Sequence, residues 1–270
     1  MKPRLEGWCE GHTTIAWDSE LEREAPVDTR RFLIGEAEEA LKNSRTELNS
    51  WIDLEKNSPE TFTPPVGGSV LPGYWWMAYS AGYPIEDLSK SIDEYLDQSE
   101  KMNVIYRARY PRLPHNFIQD IGSTDYWRVL TNLGWLVGFN ATREQLARYL
   151  ALTGEPGQDA LFDRIVVTLG FPRPVSETLI LERSYKDTLA VLDDPPSKQA
   201  ARLARILKSW LRSRLSEYGP IKPGEPRYAG YWATDVALLV MVLKLDDSTF
   251  REAQHYPADL VDYHRAHAGH

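Results

Sequence analysis

The sequence is poor in the residues on which most catalytic and metal-binding motifs depend. Cys9 is the only cysteine among the 270 residues, so neither an internal disulfide nor a cysteine metal cluster can form. The chain contains no Gly-x-Ser-x-Gly nucleophile motif, no glycine-rich phosphate loop and no His-Glu-x-x-His zinc motif. We therefore expect no catalytic residue, no cofactor and no metal.

Long hydrophobic runs are also missing. The unbroken apolar run from Val236 to Leu243 has the length of a buried core helix and falls well short of the roughly 20 residues that a membrane span needs. The first residues lack the apolar core of a signal peptide. These absences predict a soluble cytoplasmic protein with no membrane contact.

Basic residues are too few to balance the acidic ones, and the formal net charge is −8. Residues 1–135 carry 14 basic and 22 acidic side chains, whereas residues 136–270 carry 17 of each. An acidic chain argues against direct nucleic-acid binding, for which a basic footprint is expected. It favours a basic protein partner, although many unrelated proteins are equally acidic.

One segment breaks this pattern with a run of bases that contains no acid. Its side chains could bind nucleic acid, pair with the acidic segment 84–102, or be solvated, and the overall acidity disfavours the first of these readings. The run consists of Lys198, Arg202, Arg205, Lys208, Arg212 and Arg214.

Alternating strand patterns of convincing length are absent, and apolar residues recur at helical spacing. We predict an all-α fold, a compact array of about 9–11 helices with helix-turn-helix pseudo-repeats, because tyrosine–tryptophan pairs at 74, 126 and 231 precede apolar helices. The expected organisation is an irregular segment 1–27, a helical domain 28–140 and a helical domain 141–270, and the two domains could share one core. Helices are predicted at about 28–56, 74–81, 84–102, 125–137, 142–152 (with a Thr142–Gln145 capping box), 158–169, 176–192, 197–218 and 236–243, followed by two short helices.

The richest stretch of the sequence runs from Tyr228 to Arg265. Three separated motifs occur there in order: Tyr-Ala-Gly-Tyr-Trp at 228–232, Leu-Asp-Asp-Ser-Thr-Phe at 245–250 and Tyr-Pro-Ala-Asp-Leu at 256–260. They resemble the C-terminal signature of PoNi-type immunity proteins, which neutralise PoNe-type DNase toxins of bacterial type VI and related secretion systems. An earlier stretch, 74–85, is similar to the N-terminal domain of the same family. The signature positions are Tyr228, Gly230, Tyr231, Trp232, Phe250, Tyr256, Pro257 and Leu260.

The resemblance implies a protein that binds a cognate nuclease toxin as a monomer or homodimer. We expect acidic side chains to occupy positions that DNA phosphates would take in a basic cleft. The large aromatics Tyr231, Trp232 and Tyr256 are expected to be packing anchors rather than contacts. The candidate toxin-binding acids are Glu36, Glu39, Asp93, Glu94, Asp97, Asp235, Asp246, Asp247 and Asp259.

Other readings of these residues stay open. Asp235, Asp246, Asp247 and His255 could line the acidic pocket of a helical enzyme, yet acids at helix starts more often cap and gain about 0.3–1 kcal/mol from the helix dipole. Three histidines at 264, 267 and 270 share helical spacing and could hold a metal, although a frayed polar tail is the more common outcome.

Overall fold

The computed structural model describes residues 71–80, 82–109, 111, 126–153, 155–218 and 231–268, together with Glu38, Glu39, Lys42 and Thr46, which are helical. The predictions for 1–27, Glu36, Tyr228 and Gly230 lie outside this part of the chain. Within it the fold is all-α, as predicted, with no strand. The helices are α1 Leu71–Ser80, α2 Ile85–Ser89, α3 Ile92–Arg109, α4 Tyr126–Gly138, α5 Arg143–Leu152, α6 Ala160–Thr168, α7 Glu182–Val191, α8 Pro196–Tyr218, α9 Thr234–Leu243 and α10 Ala258–His267.

The centre of the molecule is the packing of α4 against α9. Every residue of α9 from Thr234 to Met241 is buried, as expected for a helix that is apolar on all sides. The two backbones come close at Gly134, where a Cβ would lie only 2.7 Å from the main-chain oxygen of Thr234. Glycine therefore sets the separation of these two helices.

Buried side chains from both sides of residue 140 form one cluster. Trp75, Leu96 and Leu136 belong to it, and so do Leu203 and Leu238 from the C-terminal half. The halves share this core, an arrangement that the sequence left open, and a domain boundary near residue 140 stays a prediction. None of the helices described is both long and apolar enough to cross a membrane.

Several helix boundaries follow from local chemistry. The capping box before α5 is present, because the Thr142 hydroxyl accepts from the Gln145 amide and the Gln145 side chain accepts from the Thr142 amide. The predicted helix 84–102 is wrong, since it is two helices separated at Lys90 and Ser91. The Ser91 hydroxyl donates to the Leu88 carbonyl and accepts from the Trp75 indole, both at 2.7 Å, a local alternative to helical hydrogen bonding.

Two further helix predictions are wrong in their extent. The segment 176–181 is not helical, because carboxylates of α6 take its amides: Asp163 accepts from Ser176 and Asp159 from Ile180. The segment after Asp246 forms a series of turns instead of a short helix, and His255 within it adopts a positive φ of 69°. Side-chain hydrogen bonds from distant residues override helical periodicity at both places.

Candidate functional site

The exposed face of α3 carries two of the five predicted N-terminal acids, Asp93 and Asp97. Asp93, Asp97 and Glu100 stand at successive helical turns and converge on Arg148 of α5, at 3.4, 2.6 and 2.7 Å respectively. We call these three carboxylates the α3 acidic surface. The carboxylates are between 42% and 68% exposed, whereas Arg148 is 26% exposed. The guanidinium therefore lies beneath an outer layer of acid.

Three carboxylates around one guanidinium leave a local excess of two negative charges. The hydrogen bonds that Arg148 donates to Glu100 hold the pKa of Arg148 above its ordinary value, so the cation persists at any physiological pH. Gln145 adds a hydrogen bond to Asp93 at 2.9 Å. The surface is therefore acidic and tied to α5 at the same time. Glu100 and Arg148 were not among the predicted site residues.

Two other N-terminal candidates have different surroundings. Glu94 is half-buried on α3 and accepts a hydrogen bond from Gln98 at 3.4 Å. Glu39 is exposed on a helical segment, and its neighbour Glu38 accepts from the Tyr83 hydroxyl at 3.3 Å. Glu39 is thus accessible to a partner, whereas Glu94 is largely committed to its own helix.

The signature acid Asp235 is buried at the start of α9. It is 4% exposed and accepts a hydrogen bond of 2.8 Å from the Trp210 indole of α8. A buried carboxylate needs such partners to offset its lost hydration. Asp235 therefore joins α8 to α9 and does not face a partner.

Asp246 and Asp247 organise the turn that follows α9. Asp246 accepts from the backbone amide and the hydroxyl of Ser248, and these bonds lower its pKa. Asp247 is 2% exposed; it pairs with Arg265 at 2.8 Å and accepts from the Tyr256 hydroxyl at 2.9 Å. Both carboxylates act within the fold, Asp246 by capping and Asp247 by pinning α10 to the turn.

The remaining signature residues are also internal. Asp259 accepts a hydrogen bond from the Tyr79 hydroxyl of α1. The Trp232 indole donates to the Ser80 hydroxyl at 2.8 Å. The described signature side chains are therefore packing residues: Tyr231, Trp232, Phe250, Tyr256, Pro257 and Leu260 are all buried.

Three of the four groups of the enzyme alternative, Asp235, Asp247 and His255, are buried, whereas Asp246 is exposed. Asp235 and His255 both meet Trp210, whose ring centroid is 5.6 Å from that of His255, while Asp246 and Asp247 are engaged in the turn. His255 is 6% exposed, and its Nδ1 lies 3.0 Å from the Tyr231 carbonyl. The three buried groups therefore connect α8, α9 and the turns that follow α9.

The C-terminal histidines do not converge either. His264 Nδ1 is 2.8 Å from the Val137 carbonyl, and His267 Nδ1 is 2.8 Å from the Tyr263 carbonyl. His270 is outside the described residues. In the part of the chain that the structure describes, no group of three or more His, Cys, Asp or Glu side chains is placed to hold a metal.

The structure shows a polar groove that the sequence indicated only as a basic run. It lies between α7 and α8, has a volume of about 660 Å³, and is lined by side chains that include Arg183, Lys186, Arg202 and Arg205. Arg202 does not reach the acidic segment 84–102. It forms a bidentate pair with Asp194 in the α7–α8 turn, at 2.5 and 3.0 Å, which lowers the pKa of Asp194.

Two buried acids of α6 were missed in the sequence. Asp159 caps α6 and accepts hydrogen bonds from the amides of Phe162 and Ile180 and from the Tyr126 hydroxyl, all between 2.8 and 2.9 Å. Asp163 pairs with the buried Arg173 at 2.8 Å. An aspartate directly before an apolar run is the signal that could have indicated the Asp159 cap.

Comparison with solved structures defines the fold class first. The all-helical chain is similar to the crystal structure of protein PA2201 from Pseudomonas aeruginosa, with a TM-score of 0.59, 21% sequence identity, and coverage of 84% of this chain and 88% of that chain. No curated protein matches it.

Comparison with family models then finds a match for the C-terminal part of the chain. Residues 157–260 match the C-terminal model of the PoNe immunity proteins (PoNi). The resemblance drawn from the motifs is thereby confirmed for residues 157–260, which are similar to the PoNi-type immunity proteins. The matched region runs from just before α6 into the first turn of α10 and contains the α7–α8 groove.

Proposed function

We propose that this protein binds a cognate secreted DNase toxin in the cytoplasm and neutralises it without catalysis of its own. The match of residues 157–260 to the PoNe immunity proteins carries this proposal. The described signature residues are consistent with this proposal, because their side chains are buried and pack within the fold.

For the contact itself we infer that the α3 acidic surface covers the basic cleft of the toxin. Residues 85–100 carry six acidic side chains and one basic. The carboxylates of Asp93, Asp97 and Glu100 are fixed by Arg148, so little side-chain freedom is lost when a partner binds. A pre-organised acidic surface also accelerates encounter with a basic one. We leave Asp235, Asp247 and Asp259 out of this contact, because their carboxylates accept hydrogen bonds from other parts of the fold. Asp246 is exposed and stays a candidate.

The test is co-expression with the toxin domain encoded beside the gene, followed by a binding measurement. Wild type should restore host survival and form a stoichiometric complex. Asp93→Lys/Asp97→Lys should bind at least about tenfold more weakly, because charge reversal replaces attraction by repulsion across the interface. Rescue without any complex would contradict neutralisation by binding.

The matched control is Glu177→Lys/Glu252→Lys, which makes the same change of net charge at two exposed acids outside α3. It should bind within about twofold of wild type at moderate salt, because charges beyond a Debye length of about 10 Å are screened. Equal weakening of both double variants would show an effect of overall charge, and the α3 acidic surface would lose its role. Circular dichroism establishes that each variant is folded.

A further inference from the structure

The groove between α7 and α8 contains donors that the fold does not use. Of its four cationic side chains, Arg202 is held by Asp194, and Lys186 pairs with Glu182 at 3.3 Å. Arg183 and Arg205 have no ion pair or hydrogen bond within the described chain, and both are exposed. They line opposite walls of the same cavity, one on α7 and one on α8.

Four residues with hydroxyl groups line the same cavity. Ser184 and Thr188 come from α7, and Ser209 and Ser213 from α8. Two exposed guanidinium groups in one cavity can bind oxyanions, since arginine binds carboxylate and phosphate through paired N–H donors. A volume of about 660 Å³ accommodates several side chains of a partner.

The same groove also carries acid, and this determines which anion fits. Glu182 and Asp187 line it beside the bases. A nucleic-acid backbone presents negative charge continuously and would be repelled at these two positions. A polypeptide presents carboxylates singly, and its amides or lysines can face Glu182 and Asp187. The net charge of −8 further disfavours nucleic acid.

We propose that the α7–α8 groove is a second contact with the toxin and receives a toxin segment that carries at least two carboxylates, one for Arg183 and one for Arg205. This inference rests on the proposed function. The immunity protein would then recognise its partner through opposite charges at two places: acid on α3 against a basic cleft, and base in the groove against an acidic segment. A non-cognate protein that can form only one of the two contacts would bind weakly.

The experiment compares two double charge reversals in the full chain by titration calorimetry with the catalytically inactive toxin domain. Arg183→Glu/Arg205→Glu changes the groove. Lys208→Glu/Arg212→Glu makes the same change of charge at exposed residues of α8 that do not line it. We expect the groove variant to bind at least about tenfold more weakly and the control within about threefold of wild type. Arg183→Gln/Arg205→Gln should fall between them.

Three outcomes would overturn the inference. If groove and control variants bind equally, the groove is not a contact, although the proposed function stands. If wild type binds no toxin, the proposed function fails and the groove contact fails with it. If ATP or a DNA duplex binds the chain, and Arg183→Glu/Arg205→Glu alone abolishes that binding, the groove is a phosphate site and not a receptor for an acidic segment.

Discussion

Gly134 fixes the distance between α4 and α9, so the cost of adding one methyl group there can be worked out. A Cβ at this position would lie 2.7 Å from the Thr234 oxygen and 3.2 Å from its carbonyl carbon. Both atoms belong to the main chain, so no rotamer change can relieve the contact. Overpacking of a dense core costs about 1–3 kcal/mol, and alanine regains up to about 1 kcal/mol of helix propensity. We expect Gly134→Ala to lower the free energy of unfolding by about 1–2 kcal/mol and Tm by about 2–8 °C.

Urea and thermal denaturation followed by circular dichroism measure this change, and Gly138 provides the comparison. A Cβ at Gly138 would meet the Leu260 side chain at 2.6 Å. Trimming Leu260 to alanine should therefore suppress part of the cost of Gly138→Ala, a non-additivity of about 1 kcal/mol or more. Trimming Thr234 to alanine should not suppress Gly134→Ala. The close contact between Gly134 and the Thr234 main chain would be refuted if Gly134→Ala were as stable as wild type. It would also be refuted if Thr234→Ala restored the stability of Gly134→Ala.

Two further predictions concern buried polar groups. Asp159→Ala should lower the free energy of unfolding by about 3 kcal/mol or more, because a helix cap is lost and buried donors, including the Tyr126 hydroxyl, are left without their acceptor. Urea denaturation measures this change, and Asp159→Asn should lower the free energy of unfolding less than Asp159→Ala does. A loss below about 1 kcal/mol for Asp159→Ala would contradict the role of the carboxylate. Burial, and secondarily the charges of Arg265 and Lys244, lower the pKa of His264. The contribution of His264 to the free energy of unfolding is therefore complete above the ordinary histidine pKa of about 6.5. This contribution is lost as pH falls below that value towards the pKa of the folded state. The difference in Tm between wild type and His264→Asn should accordingly narrow from about pH 7.5 to 5.5, and a constant difference would contradict it.

The parts of the fold that depend on local signals could be predicted from the sequence. The capping box at Thr142 and Gln145 forms as expected, and the apolar run of α9 is a buried helix. The start of α7 could not be predicted, because Asp159 and Asp163 reach residues 21 and 13 positions further along the chain. Sequence periodicity contains no information about such tertiary hydrogen bonds.

In the candidate surfaces, too, local patterns could be predicted from the sequence and tertiary contacts could not. The acidic face of α3 was visible as a pattern of carboxylates, but its partner Arg148 lies 51 residues beyond Asp97 and could not be paired with it from spacing. The acids around the signature were predicted as contacts from their place in the sequence alone. A carboxylate in a distinctive motif looks functional in sequence, and only the folded chain shows that Asp235 and Asp247 are buried against Trp210 and Arg265.

The contact of Gly134 with Thr234 has a consequence for how such a protein can diversify. The region that matches the family model begins at residue 157, so it includes α9 but not α4. A recombination event that exchanged only this region would pair α9 of one protein with α4 of another. The two backbones would then have to fit at the Gly134–Thr234 contact, which has no room for a methyl group. Under the proposed function, new toxin specificities should therefore arise by point substitution on α3 and in the α7–α8 groove, or by inheritance of both halves together.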